Sequence, residues 1–326
     1  MIYQRACDIV TDEVFLELDR ILPDSRLFLK LEGMNPAGSV KLKSALGMVE
    51  DAERKGRLWP GGRIVESSSG SLGIALSVIA AARGYRFTCV TDPNVSPQSL
   101  ALIRALGGDV VQVTRRDRNG GYLGTRIARI REMTAADPGL VWLNQYANPA
   151  NAQAHAQRTA TSILKNIGQV DVLLVGAGTT GTLMGCTRHF RAFSPWTRIV
   201  AVDTAGSVTF GGPPGPRYIP GLGTSRRPEL CRPDRVDEVV LVDESDAVRM
   251  CRRLARDHGL PAGGSTGSVL AALGSLADRI PPGSRVVALS PDMGDRYVKT
   301  IYDDLWVADT FGAGVLDGTA ARPVAV

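Results

Sequence analysis

The segment Asn35-Pro36-Ala37-Gly38-Ser39-Val40-Lys41 sets a lysine just after a Gly-Ser turn, at the mouth of a helical pattern. An amine desolvated near a helix N-terminus has a lowered pKa and can form a Schiff base. Taken alone, an exposed structural lysine is the commoner outcome. The lysine count sharpens the choice: only Lys30, Lys41, Lys43, Lys55, Lys165 and Lys299 stand among 38 basic residues, and two of them fall in this one segment.

Three glycine-rich loops could supply what such an amine would work with. Gly176-Ala177-Gly178-Thr179-Thr180-Gly181-Thr182 follows an apolar run and precedes a helical pattern. Glycines let a backbone approach an anion closely, and the N–H groups opening the next helix favour a phosphate. The spacing also fits G-x-G-x-x-G, with Asp203 ending the next apolar run where a dinucleotide site would keep its ribose acid. Phosphate site, nicotinamide site and plain tight turn all remain open on this motif alone. The second loop, Glu66-Ser67-Ser68-Ser69-Gly70-Ser71-Leu72-Gly73, offers hydroxyls and N–H groups to a small anion such as a carboxylate; an ordinary N-cap needs one Ser, not four. The third, Gly263-Gly264-Ser265-Thr266-Gly267, fits the nucleophile elbow G-x-S-x-G. That reading fails because His155, His189 and His258 all precede Ser265, whereas the hydrolase order puts His after Ser.

These loops need strands and helices to hold them. Runs at 27–31, 63–66, 86–91, 109–113, 141–144, 170–175, 198–202, 238–242 and 285–290 read as strands. Helical periodicity lies between them, near 41–56, 72–83, 96–106, 123–134, 150–166, 180–193, 244–257 and 267–279. Such alternation predicts an α/β fold around mainly parallel sheets, and the continuous apolar strands predict sheets covered on both faces. Ser96-Pro97 and Asp243-Glu244-Ser245-Asp246 read as helix starts, 211–216 as a surface loop, and the natural division falls near Asn148.

Composition bounds the function. With 326 residues, 44% hydrophobic and 22% charged, the chain can bury one large or two medium cores. No stretch has the length and apolarity of a membrane span or a signal peptide. The five cysteines are odd in number, dispersed and without C-x-x-C, which argues against a disulfide framework or zinc knuckle and fits the cytoplasm. The net charge of +5 is spread among 33 acidic residues, with aromatics at 6%, so nucleic acid is not the expected partner. One lysine, a phosphate loop, a carboxylate loop and a Ser-bearing loop, all at strand ends, together fit a pyridoxal 5'-phosphate site.

Over about 29–306 the chain resembles the fold-type II, pyridoxal-phosphate-dependent cysteine synthase and cystathionine β-synthase family. The resemblance implies Lys41 as the Schiff-base lysine, Gly178, Thr179, Thr180, Gly181 and Thr182 as the cofactor-phosphate loop, and Ser265 as the partner of the pyridine nitrogen. It also implies Ser68, Ser69, Gly70, Ser71, Leu72 and Gln145 as substrate-carboxylate ligands, with Ser71 doubling as a cofactor contact. Its implied architecture is two α/β units: a smaller one over 41–147, and a larger one from 1–40 and 148–311, with 312–326 as a flexible tail. Two departures stand out: Lys43 sits where the family commonly has Arg, and Ser71 replaces the usual Asn. Segments such as Asn144-Gln145-Tyr146-Ala147-Asn148 and Pro220-Gly-Leu-Gly-Thr-Ser-Arg226 resemble the branch that joins O-phospho-L-serine to L-glutamate on the way to L-2,3-diaminopropionate for siderophores or antibiotics.

That resemblance implies a β-replacement on small amino acids in a cytoplasmic homodimer with no metal, whose product passes to an NAD-dependent dehydrogenase. Cysteine synthesis, or another alanine β-substitution, is the runner-up. A neutral Ser265 facing the ring nitrogen would leave it largely unprotonated, which favours expulsion of a β-leaving group. Arg226, beside Gly223-Thr224-Ser225, could grip a phosphate or carboxylate with two parallel hydrogen bonds; a solvated surface arginine is the alternative. Tyr146 would shape the nucleophile pocket, unless it is simply packed.

Overall fold

The computed structural model describes residues 2–68, 70–118 and 120–317. Ser69 of the expected carboxylate loop lies outside the described residues, as do Asn119 and 318–326.

Among the described residues ten strands form two sheets. They are β1 (Phe15–Leu18), β2 (Arg26–Leu31), β3 (Arg63–Ser67), β4 (Arg86–Thr91), β5 (Asp109–Gln112), β6 (Leu140–Trp142), β7 (Val172–Gly176), β8 (Arg198–Thr204), β9 (Glu238–Val242) and β10 (Arg285–Ser290). The larger sheet runs β1-β2-β10-β7-β8-β9, parallel except for the β1–β2 hairpin pair; the smaller, β5-β4-β3-β6, is all parallel. β1 and β2 come before the first long helix, yet they join the larger sheet with β7–β10, while β3–β6 form the smaller one.

The helices fill the gaps between strands. In order they are α1 (Lys41–Arg54), α2 (Ser71–Arg83), α3 (Pro97–Ala105), α4 (Leu123–Ala136), α5 (Pro149–His155), α6 (Thr161–Ile167), α7 (Gly181–Phe193), α8 (Glu244–His258), α9 (Gly264–Ala271), α10 (Leu273–Leu276), α11 (Asp304–Phe311) and α12 (Gly314–Asp317). The alternation of β-strand side chains explains why the larger sheet needs cover on both sides. Val172, Leu174, Val200, Val202, Val286 and Ala288 face one core with Leu254, Val269 and Leu270. Their neighbours Leu173, Val175, Ile199, Ala201, Val287 and Leu289 face the other, with Leu183, Cys186 and Phe190. α2 ends where Gly84 adopts φ 74°, a left-handed cap that glycine takes without a Cβ penalty, and its N–H reaches the Ala80 carbonyl.

Several details depart from the expected elements. β1 adds an antiparallel edge that alternation alone did not announce. The helix expected over 150–166 is interrupted by a π turn at Ala156–Ala160. The last expected helix starts earlier, at Gly264, which puts Ser265 in its first turn, and stops at Ala271. Within the expected tail, α12 buries Val315. All five cysteines are buried and free, and among the described residues no helix is long and apolar enough to cross a membrane and no metal-holding cluster occurs.

Candidate active site

Parallel strands aim their carboxyl ends in one direction, so the loops that leave them collect at one rim. Lys41 begins α1, the 176–182 loop links β7 to α7, the 66–73 loop links β3 to α2, and Gln145 follows β6. The result is a cavity of about 540 Å³ lined by Lys41, Ser68, Gly70, Ser71, Leu72, Gln145, Tyr146, Gly178 and Thr179, among others. A narrower extension joins Lys41 and Ser71 to Gly178, Thr179, Thr180, Gly181, Thr182 and Ser265.

The loop after β7 is built without slack. Thr180 has φ 64°, one of two non-glycine residues in the left-handed region among the described residues; the other is Asn144, just before Gln145. Such conformations persist only where the surroundings over-determine them, and they gather at functional sites. Both occur here. A Cβ on Gly178 would stand 2.7 Å from the Gly221 carbonyl, and one on Gly181 would stand 2.2 Å from Asn151 Oδ1, so both positions demand glycine. Behind the loop, His155 Nε2 lies 2.9 Å from Ser44 Oγ and 3.3 Å from Thr182 Oγ1, and its Nδ1 lies 3.1 Å from Thr159 Oγ1. Burial, with Lys43 and Lys41 nearby, holds its pKa well below the ordinary value, so the ring is neutral. Sequence reasoning used His155 only to exclude a hydrolase order.

The 66–73 loop is organised by a residue that reasoning passed over. Glu66 is fully buried and accepts from the N–H of Ser67 (2.7 Å), Trp142 Nε1 (3.3 Å) and the N–H of Gln145 (3.2 Å). Burial pushes its pKa up to about 7 against those donors and the backbone of Asn144. Gln145 Nε2 in turn donates to the Ser67 carbonyl at 2.7 Å. Ser68 Oγ accepts from Gly70 N at 3.1 Å and Gly73 N at 2.9 Å, so this hydroxyl shapes the loop. Ser71 Oγ accepts from Arg296 Nη1 at 3.2 Å, and Arg296 also donates to the Ala37 carbonyl. Arg296 thus ties α2 to the segment that carries Lys41. Tyr146 is buried against Leu123 and Ile127, and burial raises its hydroxyl pKa.

Two sequence candidates lie elsewhere. Arg226 borders neither cavity; its side chain is 44% exposed and pairs with Glu229. Lys43 is sealed in the interior, paired with Asp12 and, at 2.6 Å, with Glu32 Oε2, so its amine cannot compete with Lys41 for a ligand in the cavity. Glu244, expected only to favour a helix start, accepts from the N–H groups of Tyr218 (2.8 Å) and Ile219 (2.9 Å), fixing the segment that brings Tyr218 to the cavity rim.

Three polar atoms on the inner cavity are buried and have no hydrogen-bond partner among the described residues: Ser39 Oγ, Thr180 Oγ1 and Asp292 Oδ1. Buried groups of this kind are normally satisfied. Together with a glycine cradle at a helix N-terminus and a lysine opposite, they fit a ligand that carries a phosphate, a carbonyl and a polar ring, which is the donor set of pyridoxal phosphate.

Comparison with known proteins agrees. A curated relative from Ralstonia nicotianae (strain ATCC BAA-1114 / GMI1000), named N-(2-amino-2-carboxyethyl)-L-glutamate synthase, is 43% identical over 311 residues, covering 94% of this chain and 92% of its own. One of the same name from Cupriavidus metallidurans (strain ATCC 43123 / DSM 2839 / NBRC 102507 / CH34) is 43% identical over 304 residues, covering 92% of this chain and 89% of its own. Among solved structures, an O-ureido-L-serine synthase matches with a TM-score of 0.86 and 35% identity, covering 94% of this chain and all (100%) of that one. An O-acetylserine-dependent cystathionine β-synthase from Helicobacter pylori matches with a TM-score of 0.85 and 27% identity, over 93% of this chain and 100% of that one. The family model described as "Pyridoxal-phosphate dependent enzyme" matches residues 14–292. The two mainly parallel sheets, the lysine-and-glycine cavity and these matches lead to one conclusion: this chain belongs to the fold-type II pyridoxal-phosphate-dependent enzymes.

Proposed function

We propose that this enzyme joins O-phospho-L-serine to L-glutamate, giving N-(2-amino-2-carboxyethyl)-L-glutamate and phosphate. The observation that carries the reading is the 43% identity, over at least 92% of this chain, to two relatives of that name. In the overall balance the C–O bond at the β-carbon of phosphoserine breaks, a C–N bond to the glutamate nitrogen forms, and the ammonium proton is released.

Bound pyridoxal phosphate supplies an electron sink for the pair left when the substrate's α-proton departs. The chain's own residues do the rest. Lys41 holds the cofactor between turnovers, and its freed Nζ takes the proton from the α-carbon and later returns it. The N–H groups and hydroxyls of Gly178, Thr179, Thr180, Gly181 and Thr182 hold the cofactor's phosphate through backbone and dipole rather than through a cationic side chain. Ser265 offers a neutral hydroxyl to the ring nitrogen. Ser68, Gly70, Ser71 and Leu72, with Gln145, hold the substrate carboxylate, chiefly through backbone N–H groups at the start of α2. Tyr146 bounds the side from which the amine arrives.

On this reading 41–147 and the remainder are two units that meet at the cavity, and the enzyme works as a cytoplasmic homodimer. Its product is a secondary amine, so release of L-2,3-diaminopropionate requires oxidation at the carbon–nitrogen bond, a task for a nicotinamide-dependent dehydrogenase. The test is product analysis: phosphate release from O-phospho-L-serine should depend on L-glutamate, and mass spectrometry should find the joined diacid. Sulfide outcompeting glutamate would instead assign the chain to cysteine synthesis.

A further inference from the structure

Lys41 is fixed by the end of β10 as much as by its own helix. The Val40 N–H donates to the Pro291 carbonyl at 2.7 Å, and Ser39 and Asp292 pair as an isolated antiparallel bridge. Asp292 is therefore held beside the backbone that launches the lysine. Its side chain is 5% exposed and lines the inner cavity with Lys41. One oxygen, Oδ2, accepts from Tyr297 OH at 2.8 Å; the other, Oδ1, is buried and has no hydrogen-bond partner among the described residues. A Cβ on Gly263 would stand 1.9 Å from Oδ1, so a glycine there leaves the space this carboxylate occupies.

The groups that act on Asp292 can be named element by element. Lys41 approaches from α1, and Tyr297, Asp295 and Arg296 come from the short helix Gly294–Tyr297. Cys251 of α8 and Tyr302 also feel its charge. Burial pushes the Asp292 pKa up to about 6, with Tyr297, Arg296 and Lys41 pulling it back. Burial likewise lowers Lys41, and the charge of Asp292 is what opposes that lowering. A buried carboxylate with a free oxygen is costly unless a cation compensates it.

We propose that Asp292 is a positioning residue that supplies the counter-charge to the Lys41 ammonium while that amine carries the substrate's α-proton. When the α-carbon's C–H bond breaks, its electron pair stays with the substrate, the proton forms a new N–H bond at Lys41 Nζ, and the amine becomes a cation. Asp292 exchanges no proton in the step; return of the proton reverses it. Tyr297 aims the carboxylate by occupying Oδ2, which leaves Oδ1 free. The inference rests on the reading of Lys41 as the cofactor-bearing base.

The test uses the full chain in two ways. The rate at which cofactor-stripped protein takes up pyridoxal phosphate, read from its visible absorption, requires a neutral lysine and so reports Lys41's titration. An opposite charge facing the same buried cavity favours the charged form of an amine and raises its pKa, by about one to three pH units where the two lie within ~4–6 Å. Asp292→Asn should therefore move the uptake midpoint down by about one pH unit or more. In the loaded enzyme it should also move the acid limb of single-turnover phosphate release to lower pH, with a plateau about tenfold lower, because a weaker base removes the proton more slowly. Tyr297→Phe keeps the charge and should leave the uptake midpoint nearly unmoved. An unchanged midpoint in Asp292→Asn overturns the proposal. Should that variant not fold, Asp292→Glu decides: a retained charge must keep the wild-type midpoint, and a drop of about a unit overturns the idea. If Lys41→Ala still forms a borohydride-reducible linkage, the reading of Lys41 itself has failed, which is a separate result.

Discussion

Glu66→Gln separates the buried charge from the shape of the 66–73 loop. In an open chain a glutamate titrates at its ordinary 4.5, whereas in the fold Glu66 titrates at about 7. Between those values the native state binds the extra proton and the unfolded state does not, so the sign follows from linkage. The stability contribution is full below about 4.5 and is lost as pH rises through about 7. At ~1.4 kcal/mol per pH unit, the loss is on the order of 3 kcal/mol. Glutamine keeps the side-chain length and one oxygen to accept from Ser67 and Trp142, and it turns an N–H donor toward the Gln145 N–H, a cost that is the same at every pH; it never ionises, so its profile lacks this fall. Urea unfolding of both proteins from pH 5 to pH 8 should show wild type losing on the order of 3 kcal/mol relative to the variant. With unfolding entropy of about 2 cal/mol/K per residue, that is a relative shift of roughly 4 °C in Tm. Parallel profiles would mean that Glu66 is not held neutral by its burial. A gap that opens the other way would mean that its N–H donors outweigh desolvation.

Three further outcomes follow from the geometry. Gly181→Ala drives a methyl into the Asn151 carboxamide and should cost roughly 1–3 kcal/mol and most of the affinity for pyridoxal phosphate, measured by visible-band titration. Lys43→Ala removes the nearest cation from Glu32 and Asp12, leaving them Lys30 at 3.8 Å and Arg158 at 3.6 Å, and should destabilise by up to about 3–5 kcal/mol in urea, while the borohydride-reducible linkage at Lys41 persists. Arg226→Ala removes only an exposed pair with Glu229 and should leave kcat and both KM values within about twofold, since such pairs contribute under about 1 kcal/mol.

What could be read from the chain and what could not divide along physical lines. The strands of the larger sheet were legible because burial on both faces forces continuous apolar runs such as Val172-Leu173-Leu174-Val175. The glycine loops were legible because close approach leaves no room for a Cβ, a constraint written directly into residue type. Other features depend on a distant partner. β1, Phe15-Leu16-Glu17-Leu18, is a strand because β2 is beside it, with Arg26 gripping Glu17 at 2.7 Å across the pair. Nothing in Ala156-Gln157-Arg158-Thr159-Ala160 announces a π turn; there Thr159 meets His155 and Lys43, and Lys43 belongs to another helix. α11 is the opposite case: Asp303 accepts from Trp306 N at 2.8 Å, a cap signal present in the sequence that the reading passed over.

The net charge of +5 shows most clearly how placement changes the meaning of a composition. A basic balance of this size could suggest a surface built to attract anions. In the fold, many arginines answer local carboxylates instead: Arg83 with Glu50 and Glu53, Arg126 with Asp92, Arg252 with Asp304. The phosphate loop itself contains no cationic side chain, only glycines and threonines ahead of a helix. Anion binding there falls to N–H groups and hydroxyls, which add nothing to a charge count and are screened less by salt than surface cations are. What the cavity does hold is a small set of placed cations: Lys41 at its inner end, Arg296 between α2 and the Ala37 carbonyl, and Lys299 at the exposed rim. Two of the chain's six lysines thus line one cavity, and on the inner one, Lys41, the charge of a buried carboxylate, Asp292, acts.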